Sequence, residues 1–159
     1  MSEKVGWDIF RAEYKIGLEA GEDMAKVIAE SYDKCMKFGL SVGAAPPAPL
    51  VSGNVKALEA MLKVAFSSYG ITPFPLQLDN GLKLYWLGGV TAAGATIIVP
   101  GVTAAFIPMG AANKDIDDFI EQLITAFKTH LGQISGAIPG APPIPLVGYN
   151  VPDRGVWND

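Results

Sequence analysis

Pro142-Pro143-Ile144-Pro145-Leu146-Val147-Gly148-Tyr149-Asn150-Val151 is the second appearance of a phrase the chain has already used as Pro46-Pro47-Ala48-Pro49-Leu50-Val51-Ser52-Gly53-Asn54-Val55. Seven of the ten positions are identical at a constant offset. Neither copy carries a charge or a metal ligand. Clustered prolines fix φ and push the preceding residues towards extended backbone, so each copy reads as a stiff, polyproline-like arm. Prolines and aliphatics shape a backbone and bury surface, but they do not move protons. Each copy follows a charged amphipathic pattern and a Gly/Ala-rich hinge. The first then hands over to a helix at Asn54, whereas no helical pattern follows the second in this sequence.

Outward from the phrases, residues 8–38 read as helix. Trp7, Tyr14, Gly21, Ile28 and Cys35 fall seven apart, interleaved with Phe10, Gly17, Met24, Ser31 and Phe38, a stripe near 3.5 residues per repeat. Gly21 offers a break with a restart at Asp23, because a mid-helix glycine costs about 1 kcal/mol relative to Ala. Gly39 suits the C-terminal cap. Asn54 suits the N-cap of a second helix over 55–69, with Leu58, Met61, Leu62, Ala65, Phe66 and Tyr69 on one face. A third helix spans 114–131, capped by Asn113, with Asp115, Asp117 and Asp118 at its positive end and Gly132 beyond it.

The middle of the chain changes period. Leu76, Leu78, Leu82 and Leu84 alternate with Gln77 and Lys83 around Asp79-Asn80-Gly81, and Asn-Gly between alternating segments predicts a hairpin. A second strand pair is expected at 95–99 and 102–107 around Pro100-Gly101. The expected class is therefore α+β, mainly helical, with a small antiparallel β element within 71–108 and extended Pro-rich arms. One globular domain would cover 1–138, and an extended C-terminal arm would cover 139–159.

The chain has 159 residues, long enough for one sizeable core, and half of them are hydrophobic. Its 12 basic and 16 acidic side chains give a net charge of −4, which lacks the basic field of a nucleic-acid binder. The single cysteine, Cys35, excludes an internal disulfide and fits a reducing compartment. Residues 1–8 lack a basic region followed by an apolar run, so no signal peptide is expected. Charges are confined to residues 3–37, 56–63, 79–83, 114–128 and 153–159. The uncharged stretches between them, 38–55, 64–78, 84–113 and 129–152, exceed what a small interior hides, so part of that surface is expected to meet another chain.

The inventory of reactive groups is short. His130, the only histidine, falls in the last turn of a predicted helix, where the helix dipole alone favours it. Cys35 has no adjacent base and lies on an apolar stripe, the usual place of a small hydrophobe. Asp115, Asp117 and Asp118 are the only carboxylate cluster, and helix initiation is its ordinary role. No glycine run has the spacing that cradles phosphate. No catalytic residue, cofactor or metal site is expected. Two alternatives keep a place: a membrane-associated protein using 84–113, weakened by Pro100, Pro108 and the glycines there, and a small-molecule-binding module built around Tyr85 and Trp86. The proline phrases lack the flanking basic residue of ligands for SH3-type domains.

Ala-rich helices ending in aromatics (Ala65-Phe66…Tyr69 and Ala126-Phe127), the Tyr85-Trp86-x-Gly-Gly step, the Gly/Ala/Thr-rich middle and the Pro-Pro-x-Pro arms together resemble small virion structural proteins of tailed bacteriophages. The resemblance is compositional and covers most of the chain. It implies a non-enzymatic structural subunit of a capsid, neck, tail or baseplate, located in the virion, with homo-oligomeric contacts and other particle proteins as partners. Independently of it, the uncharged second phrase marks Pro142, Pro143, Pro145, Leu146, Val147 and the terminal aromatic Trp157 as the expected subunit interface.

Overall fold

The computed structural model describes residues 6–43, 47–67, 74–87, 89–92, 94, 96–99, 116–140 and 142–152. Among them are five helices and one antiparallel sheet, so the class is α+β and mainly helical.

The long N-terminal pattern folds as two helices, α1 (Trp7–Glu19) and α2 (Met24–Met36), and not as a continuous 8–38. The break falls at Gly21, which takes a left-handed φ of 71°. Only glycine adopts that conformation without a steric cost from Cβ. Asp23 restarts the chain, its carboxylate accepting from the Ala25 N–H at 3.0 Å, as an N-cap does. The two helices pack closely at Gly17, where an added Cβ would lie 2.6 Å from a Val27 methyl. α3 (Val55–Ser67) begins where the Asn54 side-chain oxygen accepts from Ala57 N–H at 3.1 Å. It buries Leu58, Leu62 and Ala65, while Phe66 stays exposed.

The expected hairpin around Asp79-Asn80-Gly81 is instead the middle of α4 (Phe74–Trp86). Leu78, Leu82 and Tyr85 recur at i, i+4 and i+7 and are buried, whereas Leu76 and Leu84 face outward. The leucines that seemed to alternate thus occupy two sides of a helix. Gly81 weakens the helix locally, but it allows α3 and α4 to approach. A Cβ there would stand 3.0 Å from Leu58 Cδ1 and 3.1 Å from Met61 Cβ. Asp79 and Lys83, one turn apart, pair at 2.8 Å. The last helix, α5 (Ile116–Leu131), buries Ile120, Leu123, Ile124, Phe127 and Leu131.

The strands are β1 (Leu40–Gly43), β2 (Leu50–Ser52), β3 (Val90–Thr91), β4 (Thr96–Val99), β5 (Ser135–Ile138) and β6 (Ile144–Asn150). Their order in the sheet is β1-β6-β5-β4-β3-β2, with every neighbouring pair antiparallel. The second expected strand pair is half present: β4 forms, but its partners are β3 and β5, and 102–107 lies outside the described residues. The C-terminal segment is also not an arm outside the domain. β6 is an inner strand between β1 and β5, with Ser41 opposite Tyr149 on one side and Gly136 opposite Leu146 on the other. The domain therefore continues through the expected boundary at 138.

The two ends of the strand order touch. Ser41 N–H donates to the Ala48 carbonyl at 2.9 Å, and Ala48 N–H donates to Ser41 Oγ at 3.1 Å. One core serves helices and sheet: Trp7 stacks on Phe127 at 6.0 Å, Tyr32 meets Phe127 edge-on at 4.9 Å, and Trp86 meets Tyr149 at 5.0 Å.

Candidate interaction surface

The two proline phrases repeat a burial pattern as well as a sequence. In β2, Leu50 is 2% exposed and Val51 58%; in β6, Leu146 is 4% exposed and Val147 59%. Each phrase thus becomes a strand with its Leu in the core and its Val in solvent. Where the copies differ, they are joined. Tyr149 stands at the position of Gly53, and its hydroxyl accepts from Leu50 N–H at 2.8 Å while donating to the Met36 carbonyl. Burial raises the Tyr149 pKa above the ordinary phenol value, so the hydroxyl stays protonated and bridges both groups.

No Asp, Glu, Lys or Arg occurs in any of the six strands. Among the described helices and strands the charges sit on the helices, and several of them pair. Arg11 grips Glu121 with two bonds, at 2.8 and 3.0 Å, and reaches Asp8 at 3.1 Å. Lys34 lies 3.3 Å from Glu13, and Lys63 lies 3.0 Å from Glu59. On β1 the usual polarity is inverted: Leu40 and Val42 are exposed and Ser41 is buried. An antiparallel sheet with one wet face ordinarily turns its polar residues outward. Ser41 points inward because its hydroxyl satisfies Ala48 N–H, and that register sends both aliphatics into solvent. The ladder shifts between Val42 and Gly43, which oppose Gly148 and Leu146; Val147 sits at this step, beside Val42. Leu40, Val42 and Val147 therefore form one exposed aliphatic patch across β1 and β6.

The expected interface residues divide accordingly. Val147 is exposed at the patch, and Pro142, Pro143 and Pro145 are exposed at the start of β6 and in the turn before it. Leu146 is a correction: it belongs to the core of its own subunit, because it alternates with Val147 along a strand whose inner side faces the helices. Trp157 lies outside the described residues. Sequence reading missed Leu40, Val42 and Val51 as individuals, although all three lie in the uncharged stretch 38–55 that it had singled out.

The chemically versatile side chains serve packing. Trp86 Nε1–H donates to Tyr32 Oη at 2.6 Å, and Tyr85 Oη donates to Asp33 at 2.7 Å. Burial raises the pKa of both tyrosines, and the Asp33 charge adds to the rise at Tyr85. Tyr85 and Trp86, the expected lining of a ligand pocket, are buried in the core. A cleft of about 310 Å³ with Ser52, Gly53, Asn54, Leu87 and Gly89 reaches only Tyr85 of the two. Cys35 is buried on α2. His130 is fully buried, and desolvation holds its pKa at about 4, with Lys83 adding to the drop and Asp79 opposing it. The imidazole is thus neutral near pH 7 and contributes no positive charge to the helix dipole. Of the expected acidic cluster, Asp115 lies outside the described residues, and Asp117 and Asp118 occupy the first turn of α5. Among the described residues, no three His, Cys, Asp or Glu side chains are grouped to hold a metal ion. No helix among them is long and apolar enough to cross a membrane.

No family model, curated protein or solved structure matches the chain.

Proposed function

We propose that this chain is a non-enzymatic structural subunit, a component of a bacteriophage particle that works by assembling with copies of itself and with other particle proteins. The observation that carries the proposal is the segregation of charge: helices hold all the charged side chains of the regular elements, and six strands hold none. Interface cores are depleted in charge and enriched in aliphatic and aromatic surface, and exposed apolar patches on small proteins mark contact sites. A sheet without Lys or Arg also gives a phosphate backbone nothing to pair with, so nucleic acid is not the partner proposed. The virion assignment draws on the compositional resemblance to small phage structural proteins. No cofactor enters the proposal.

Immunogold electron microscopy of purified particles, with antibody raised against the recombinant chain, tests it. Label at a fixed position on the particle is the expected result. Bare particles, with the antigen confined to host material, would overturn the virion assignment.

A further inference from the structure

We infer that the β1–β6 face is a self-association surface, occupied by the same face of a second copy of this chain; the inference deepens the assembly reading above and rests on it. Leu40, Val42 and Val147 form this face; Ile144, also exposed, alternates in step with Leu146 and lies on the other side of β6. The choice of occupant follows from charge. Neither β1 nor β6 carries an ionic group, so a charged surface laid on these strands would lose hydration and gain no pairing partner from them.

Exposed aliphatics also occur on the helices, but each of those helices carries charges: Ile16 stands beside Lys15, Val64 beside Lys63 and Leu84 beside Lys83, and Leu76, with no charged sequence neighbour, is seven residues from Lys83 on the same helix. A helical face seated on the sheet would therefore bring charges with it. A second β1–β6 face would bring none, and its aliphatic side chains match those it meets. Two identical patches brought together are related by a two-fold axis, the commonest closed arrangement of soluble oligomers. The inverted polarity of β1 becomes intelligible in such a pair, since Leu40 and Val42 then leave water while Ser41 keeps its bond to Ala48.

The test uses the full chain in sedimentation velocity and light scattering from micromolar to sub-millimolar protein. The expected result is a mass rising with concentration to twice that of the monomer. Val42→Lys combined with Val147→Lys should hold the protein monomeric. The milder pair Val42→Thr and Val147→Thr, which keeps strand preference, should weaken association measurably, and it guards against a lysine variant that fails to fold. Circular dichroism and the melting temperature establish folding in each case. Ile16→Lys, on the helical side, should dimerise like the parent. A chain monomeric across the whole range would overturn the inference, as would a dimer unchanged in both double variants or one abolished by Ile16→Lys. Failure is separable from failure of the virion assignment: a monomeric chain that still labels particles defeats only the self-association, and a dimer absent from particles defeats only the virion assignment.

Discussion

Tyr149 is the residue through which the second proline phrase holds the first. Its hydroxyl serves the Met36 carbonyl at the end of α2 and the Leu50 N–H at the start of β2, both in the core. Tyr149→Phe keeps the ring and strands both backbone groups, so it should lower stability by about 1–3 kcal/mol in urea unfolding. Val147→Thr, exposed in the monomer on the same strand, should move it by less than about 0.5 kcal/mol when unfolding is followed at protein concentrations low enough to keep the chain monomeric. His130 supplies a second expectation at this scale. Its folded pKa of about 4 lies below the ordinary value of 6.5, so between these limits the unfolded chain binds the proton and the native chain does not. The stability associated with the neutral imidazole is complete above pH 6.5 and is lost as pH falls towards 4, by about 3 kcal/mol in all. As the only histidine, it gives an unambiguous NMR titration. A midpoint near 6.5 in the folded protein would contradict the buried, neutral assignment.

Among the elements, glycines set how closely neighbours approach. Gly53 lies against the face of Tyr85, and a Cβ there would overlap the ring, which Asp33 holds by its hydroxyl. Gly53→Ala should therefore cost about 1–3 kcal/mol by overpacking. Gly21 differs, because a Cβ there meets nothing within 4 Å and only the positive φ resists substitution. Gly21→Ala should cost about 1 kcal/mol, and chemical unfolding of the two variants distinguishes crowding from backbone strain. Helix signals were legible where end chemistry and apolar spacing agreed. Asn54 caps α3, Gly132 follows directly on the last residue of α5, and Gly21 and Asp23 divide α1 from α2 as one reading of the N-terminal pattern allowed. They were misleading in α4. Asn80-Gly81 has strong turn chemistry, and only tertiary contact with α3 shows why a glycine is tolerated there. The uncharged stretches pointed to the sheet face without distinguishing Val147 from Leu146, since alternation becomes informative only once a strand is known to be one.

At the scale of the whole molecule, sheet topology makes the C-terminal third indispensable. β5 and β6 lie between β1 and the strands β4, β3 and β2, and they come from the end of the sequence. Removing residues 139–159 would delete β6, take Leu146, Tyr149 and Val151 from the core, and unpair β1 and β5 along one edge each. Losing three large buried side chains, at about 1.5–3 kcal/mol each, approaches the entire stability of a domain this size. The truncated chain should therefore lose its cooperative thermal transition and bind hydrophobic dyes. Removal of residues 153–159 retains every described strand and the Trp7 N–H to Pro152 carbonyl bond of 3.2 Å. That shorter truncation should still unfold cooperatively, which makes it the appropriate chain for asking whether Trp157 contributes to assembly. A cooperative, native-like melt of the 1–138 fragment would show that β6 is dispensable and that the sheet does not depend on its inner strand.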